Sequence, residues 1–371
     1  MTQFVPGLEG IVAAQTSISM VDGQNGRLLY RGYVIADLAE RMSFEEVAHL
    51  LIFGELPTRA QLRDFSARMA KGRRLSPAAE AVLDALPADT DPMDVLRSAI
   101  SVQGSSPHLR KPDAEQAVAY AAAVPVMLAR FHRRRRGLPG LESRPELSHA
   151  ANYLYLFDGK EPKPELARAL DTYLVLLADH GMNASTFTAR VIASTDSDLA
   201  SSLTGALGAL RGPAHGGAPG LVLDQLELIQ TPAGAERWLR EARTRKVRFM
   251  GFGHRVYRTY DPRARIFKEM ARRLNPKFYA LASEVEEHAL RILEEEHPER
   301  PNATNVEFYS AGVLQAVGLP RDLFTPTFAV ARVAGWCAHV LEQVGHNRLI
   351  RPQSEYVGPP ARSPKPIEQR G

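Results

Sequence analysis

Residues 198–217 read DLASSLTGALGALRGPAHGG, and this run sets the fold class. Leu199, Leu203, Leu207 and Leu210 recur at the spacing of one helix face, and Gly212-Pro213 stops the helix. His215 follows in a glycine turn open enough for a ligand to reach the backbone. The pattern repeats outward in both directions. Pro164 to Ala178 places Leu166, Leu170, Leu174 and Leu177 on one face, with Gly181 just past its end. Thr327 to Val344 is a third long helix, and Ser43 to Phe53 and Thr58 to Lys71 are earlier ones. Ser43, followed by Glu45 and Glu46, is an N-cap whose hydroxyl accepts from an orphan backbone N–H. Strand patterns are confined to Ser17–Val21 and Arg27–Tyr30, around the turn Asp22 to Gly26. The chain reads as mostly α, without a solenoid repeat. Its tail from Arg351, rich in proline and charge, is expected to lie extended over another surface.

At 371 residues the chain is long enough for two domains, and 44% hydrophobic with 24% charged residues is ordinary for a globular protein. The lone cysteine, Cys337, excludes an intrachain disulfide and fits a reducing compartment; its apolar neighbours predict a packing role. Met1 to Pro6 lacks a secretory pattern, and no apolar run approaches the roughly 18 residues of a membrane span. A cytoplasmic, non-membrane protein is expected. The block Arg133 to Arg136 has no interleaved aromatics, so a solvated helix end is expected there rather than a nucleic-acid site. No ligand-spaced cluster argues for a metal.

Three histidines stand beside helix breaks: His180 in DHGMN, His215 in GPAHGG and His254 in GFGHRVY. Taken singly, each is as well explained by structure, His180 for instance by the favourable end of a helix dipole. Glu307 lies in NVEFYS, and several arginines follow. Together these groups suit holding a poly-acid and removing a proton from a carbon next to a carbonyl. Arg332 interrupts an apolar helical run and needs an anionic partner, which a substrate carboxylate would supply.

Longer strings resemble signature stretches of the citrate synthase family: LADHGMNASTFTAR (177–190), GALRGPAHGGA (208–218) and GFGHRVYR (251–258) continuing to DPR (261–263). GLEG (7–10), YRGY (30–33) and NRLIRP (347–352) extend the likeness nearly end to end. The resemblance implies a multi-helical homodimer of the prokaryotic short form. Its large domain would span 1–216 and 320–371, with a mobile small domain at 217–319. It implies condensation of oxaloacetate with acetyl-CoA and water to citrate and CoA through an enol, with Glu307 as base. His215 would hydrogen-bond the thioester oxygen, and His254 would polarise the oxaloacetate ketone. His180, Arg263, Arg332 and Arg351 would hold oxaloacetate, Arg351 reaching into the neighbouring subunit. Val247, Phe249, Met250, Gly251, Gly253, Arg258 and Asn305 would contact CoA, a co-substrate rather than a tightly bound cofactor.

Three departures stand out. The family's usual base is aspartate, and a longer Glu307 side chain moves the carboxylate unless the backbone compensates. Pro219-Gly220 replaces Asn-Glu, and Asp91 stands where the family often has histidine. The other readings are 2-methylcitrate synthase, which uses propionyl-CoA, and a non-catalytic homologue that binds oxaloacetate or CoA.

Overall fold

The computed structural model describes residues 4–106, 108–216, 218–253, 256–298 and 302–370, and it is mostly helical. Strands β1 (Ser19–Asp22), β2 (Arg27–Tyr30) and β3 (Tyr33–Val34) form a small antiparallel sheet, with Ser19 opposite Tyr30 and Asp22 opposite Arg27. The first strand starts later than Ser17 because the Ser17 and Ile18 amides donate to Glu342 and Thr16 side chains instead. Five helices follow: α1 (Ile35–Arg41), α2 (Phe44–Phe53), α3 (Arg59–Gly72), α4 (Pro77–Ala85) and α5 (Pro92–Gln103). Next come α6 (Ala114–Arg135), α7 (His149–Asp158), α8 (Pro164–Leu177), α9 (Ala184–Ala193) and α10 (Leu199–Arg211). Helices α11 (Ala218–Ile229), α12 (Ala235–Thr244), α13 (Pro262–Leu274), α14 (Pro276–Glu296) and α15 (Val306–Ala316) pack chiefly on one another. The last helix, α16 (Phe324–Gly345), returns to the first group.

The core sits around α16, wrapped by α2, α6, α8, α9 and α10. Every residue from Pro326 to Val340 is buried, as expected of a helix apolar on nearly all sides. It begins before Thr327 because Pro326 falls in its first turn, where the missing N–H is no loss. The caps explain the other starts. Ser43 accepts from the Glu46 amide while the Glu46 carboxylate accepts from the Ser43 amide, and Asp198 accepts from the Ser201 amide at 2.7 Å. Asp91, in its departure from histidine, caps α5 through the Met93 amide at 2.8 Å. Pro219 stands in the first turn of α11, which tolerates it. Cys337 is fully buried, and burial pushes its thiol up, so it packs as expected.

The arginine block is not solvated. Arg133 is buried and donates to the Pro139 and Phe157 carbonyls at 2.6 and 3.0 Å. Arg134 donates to the Leu86 carbonyl, and Arg135 pairs with Asp322 at 2.5 Å. Backbone carbonyls and the Asp322 carboxylate hold these guanidiniums, leaving only Arg136 exposed. The tail from Arg351 to Arg370 is exposed and irregular, apart from a short turn at Ile367–Gln369. No described helix is long and apolar enough to cross a membrane.

One close approach fixes α16 against the end of α8. Gly335 donates its amide to the Ala178 carbonyl at 3.1 Å, and a methyl at this position would lie 2.3 Å from that oxygen and 2.5 Å from Asp179 Oδ1. Both obstacles are buried and cannot step aside. Gly335→Ala should therefore destabilise by about 1–3 kcal/mol through overpacking, despite the helix-propensity gain of about 1 kcal/mol. Chemical denaturation measures it; a neutral or stabilised variant would refute the close approach.

Candidate active site

His180 is placed by the turn that ends α8. Gly181 adopts φ +58°, and Asp179 lies fully buried beside it. Asp179 Oδ2 accepts from the Ser19 hydroxyl at 2.5 Å and the Gly181 amide at 2.9 Å, and His339 lies 3.3 Å from Oδ1. Burial alone would raise this carboxyl, but His339, Arg332 and Ser19 overrule it and hold it down at about 2. The Tyr30 hydroxyl closes the turn, donating to the Asp179 carbonyl at 2.8 Å and accepting from its amide at 3.1 Å. The β1–β2 hairpin thus braces the histidine turn from outside. Its tip also touches the loop after Gly253: the Gly23 carbonyl accepts from the Arg258 amide at 2.8 Å, and a methyl on Gly23 would meet the Val256 carbonyl at 2.1 Å. The His180 ring, itself buried, has Nε2 3.2 Å from the Tyr257 hydroxyl.

His215 sits in the turn after α10, held by backbone bonds from His215 and Gly216 to the Gly212 carbonyl. Its Nε2 lies 2.8 Å from Ser185 Oγ, which accepts the Trp336 indole N–H at 3.1 Å and lies 2.7 Å from Asn183 Oδ1. Burial, then the Arg332 charge, brings the imidazole down to about 4, so the ring is neutral at physiological pH. The Ser185 hydroxyl gives its one proton to Asn183 Oδ1. Ser185 and Trp336 escaped the sequence reading: one is a small residue in a helix start, the other reads as core.

Glu307 occupies the first turn of α15, where the helix dipole favours a carboxylate. Asn305 caps that helix through the Glu307 amide at 3.1 Å and donates its side-chain N–H to the Gly253 carbonyl at 3.1 Å. The Asn305 amide donates to the Gly251 carbonyl and the Gly253 amide to that of Ala303, zipping the glycine loop to the α15 start. Gly251 must lack a side chain, since a methyl would lie 2.6 Å from Phe308. His254 and Arg255 lie outside the described residues, as does Gly217 at the expected domain border; described Gly253 and Val256 flank the histidine. Glu307 is half-buried, and burial raises its carboxyl above 4.5; Arg263 pulls it back, and Asp261 pushes it up again.

Arg263 and Arg332 are both buried. Arg263 is not the free clamp expected: its Nε and Nη2 fork onto Asp261 at 3.1 and 2.8 Å, which holds its charge firmly and leaves Nη1 without a described partner. Arg332 gives Nε to the Leu177 carbonyl at 2.8 Å and stacks over Phe328. Burial, with Arg263 adding to it, brings Arg332 down to about 10 even though Asp179 pulls the other way. Two buried guanidiniums that feel each other invite an anion between them. Arg351 stands in the exposed tail, and no described group of this site bonds to it.

The residues expected at CoA divide. Met250, Gly251, Gly253 and Asn305 lie along the zipped loop, with the Met250 amide held by Gln225 at 2.8 Å, whereas the Val247 amide donates back to the Ala242 carbonyl of α12 at 2.9 Å. Phe249 instead turns inward, buried between Phe252 and the Arg243 guanidinium, so its ring serves packing. Arg258 is exposed. Among the described residues no group of side chains is set to hold a metal ion.

The family model for the citrate synthase C-terminal domain matches residues 7–353. The chain is 41% identical over 378 residues to citrate synthase 2 of Bacillus subtilis, covering 98% of each chain. It is 40% identical over 382 residues to 2-methylcitrate synthase 2 of Corynebacterium glutamicum, covering 98% of this chain and 97% of that one. Among solved structures it matches the citrate synthase of Thermoplasma acidophilum in ternary complex with carboxymethyl-CoA and oxaloacetate. That match has a TM-score of 0.93, 32% identity and full coverage of both chains.

Proposed function

The chain belongs to the citrate synthase family, and from that premise we propose that it condenses acetyl-CoA with oxaloacetate and water to give citrate and CoA. One observation carries the reading. Glu307, Arg263, Arg332 and His215, drawn from separate stretches, share one electrostatic neighbourhood: Arg263 acts on Glu307 and Arg332, and Arg332 acts on His215. That grouping of two buried guanidiniums, a carboxyl and a neutral imidazole supports a site for an anionic substrate beside a base.

In the proposed reaction Arg332 and the remaining Nη1 of Arg263 take oxaloacetate carboxylates, with His180 beside them. Glu307 removes a proton from the thioester methyl group, and His215 donates to the thioester oxygen as its charge grows, giving the enol. The enol carbon attacks the ketone, which His254 is proposed to polarise, and water then cleaves the thioester to release CoA. No resident cofactor is required, since the CoA thioester is a co-substrate. Its contacts are proposed along the loop from Val247 to Gly253, with Asn305 and Arg258; Phe249 would act there through packing.

We also propose a homodimer in which Arg351 completes the neighbour's site. Support comes from apolar side chains that both ends leave bare, Val12 at 85% and Val357 at 89% exposure. The domain division proposed is 1–216 with 320–371 against 217–319, in line with the mutual packing of α11 to α15. Closure of the second unit would exclude water from the enol. The cytoplasm is the proposed location.

The relative named 2-methylcitrate synthase supports a second reading, with propionyl-CoA as donor. Release of free CoA thiol with oxaloacetate and each thioester separates the two. One methylene in an acyl pocket is worth about 1–3 kcal/mol, so the specificity constant for acetyl-CoA should exceed that for propionyl-CoA by roughly tenfold or more. The reverse ratio would establish the second reading. Folded protein that binds oxaloacetate but turns over neither thioester would be a binding homologue.

A further inference from the structure

Glu286 lies in the middle of α14, next to Glu287 and two residues from Glu284, yet it is 4% exposed. Its Oε1 accepts from the Tyr260 hydroxyl at 2.8 Å and the Thr304 hydroxyl at 2.6 Å. Its Oε2 accepts from the Tyr309 hydroxyl at 2.7 Å and from Lys268 Nζ at 2.5 Å. A carboxylate offers about four lone-pair positions, and here four donors occupy them.

Each donor comes from a different segment of the candidate site. Tyr260 ends the loop that contains residues 251–258, and Lys268 is on α13, the helix that carries Arg263. Thr304 precedes the cap Asn305 and bridges to Phe252, and Tyr309 lies in the turn of α15 that begins with Glu307. Burial and the nearby carboxylate keep the phenol protons on Tyr260 and Tyr309, so both remain donors. We propose that Glu286 is a positioning residue for the condensation, fixing the base-bearing turn of α15 in register with the histidine loop and the Arg263 helix.

The geometry gives the reason. A carboxylate that removes a carbon-bound proton must stand within a fraction of an ångström of its working position, and misplacement by about 1 Å costs on the order of a hundredfold. Helix α15 is held from beneath by packing, but its rotation relative to residues 251–260 is set by these bonds and by the Asn305 contacts to Gly251 and Gly253. One side chain addresses all the parts at once. The charge is tolerated in the interior because Lys268 and three hydroxyls satisfy it together.

This inference rests on Glu307 being the base, and the test separates the two. In the full-length protein, Glu286→Gln keeps shape but removes the charge and sets an amide against two donors. Expected are a kcat lowered by about 30-fold or more and an oxaloacetate Kd, by calorimetry, within about threefold of the parent. Hydrogen exchange should quicken in residues 256–260 and 303–309 together. Lys268→Met, which cuts only the tie to the Arg263 helix and spares the three hydroxyl bonds, should lower kcat by clearly less than Glu286→Gln does. A Glu286→Gln enzyme with parental kcat, or a Lys268→Met enzyme as slow as it, would overturn the proposal. If Glu286→Gln does not fold, the double variant Tyr260→Phe/Tyr309→Phe takes its place, with loss of kcat expected and parental kcat overturning. Should the parent itself lack turnover, the base reading fails, and exchange alone decides: unchanged rates in both segments would refute the positioning role.

Discussion

Glu307→Gln lowers kcat by a hundred- to ten-thousandfold, the usual worth of a positioned general base, while oxaloacetate still binds within about threefold of the parent. Glutamine keeps the length and the first-turn backbone bond to Asn305, so nothing else in the site needs to move. What it lacks is a lone pair basic enough to take a carbon-bound proton. The pH profile gives an independent check. Burial raises the Glu307 carboxyl above 4.5, with Arg263 opposing and Asp261 reinforcing. The base works only when deprotonated, so kcat/KM falls as pH drops through that raised value, at a higher pH than for an exposed glutamate. His215, at about 4, becomes cationic only further down and steepens the loss there. Near-parental turnover in Glu307→Gln would remove the base assignment. Because α15 is pinned at Asn305, Glu307→Asp should also be slower than the parent, the shorter arm falling short of a position that suits the longer one.

Arg332→Met raises the oxaloacetate KM by about 30- to 1,000-fold, the cost of removing one member of a desolvated charge pair. The free protein, by contrast, keeps its stability or gains a little. Burial already presses Arg332 down to about 10, so in the absence of an anion the cation is held at some expense. An apolar side chain of similar volume escapes that cost and gives up one bond to the Leu177 carbonyl, worth about 1 kcal/mol. Paired measurements of KM and of the denaturation midpoint check both halves. Normal oxaloacetate affinity would exclude Arg332 as a carboxylate ligand; marked destabilisation would make it structural.

The helical framework was legible because it is written locally. Leucines spaced along α8 and α10 and the caps at Ser43 and Asp198 need only near neighbours, and the structure has these helices where the spacing puts them. Residues that must be polar in apolar surroundings were legible too, Arg332 above all. Groups whose meaning depends on distant partners were not. Trp336 reads as core until Ser185 is seen beneath its indole N–H, and Glu286 stands apart from Glu284 and Glu287 only once four hydrogen bonds converge on it. The arginines at the end of α6 look solvated in sequence because the carbonyls that capture them belong to other segments. The Asp261 fork on Arg263 lies two residues away and could have been read, since an aspartate capping a helix is well placed to hold a charge inside its first turn.

The hairpin that braces the His180 turn has a bearing on how the molecule assembles. Its bonds to Asp179 join residues 149 and 160 positions apart, and its tip reaches further still, to Arg258. Closing so long a loop adds only logarithmically to the entropy cost, so final stability suffers little, but such contacts form late and slowly. Helices held by neighbouring turns would regain their ellipticity first during renaturation from denaturant. The His180 turn would settle only when the hairpin docks, making catalytic competence one of the last properties to return.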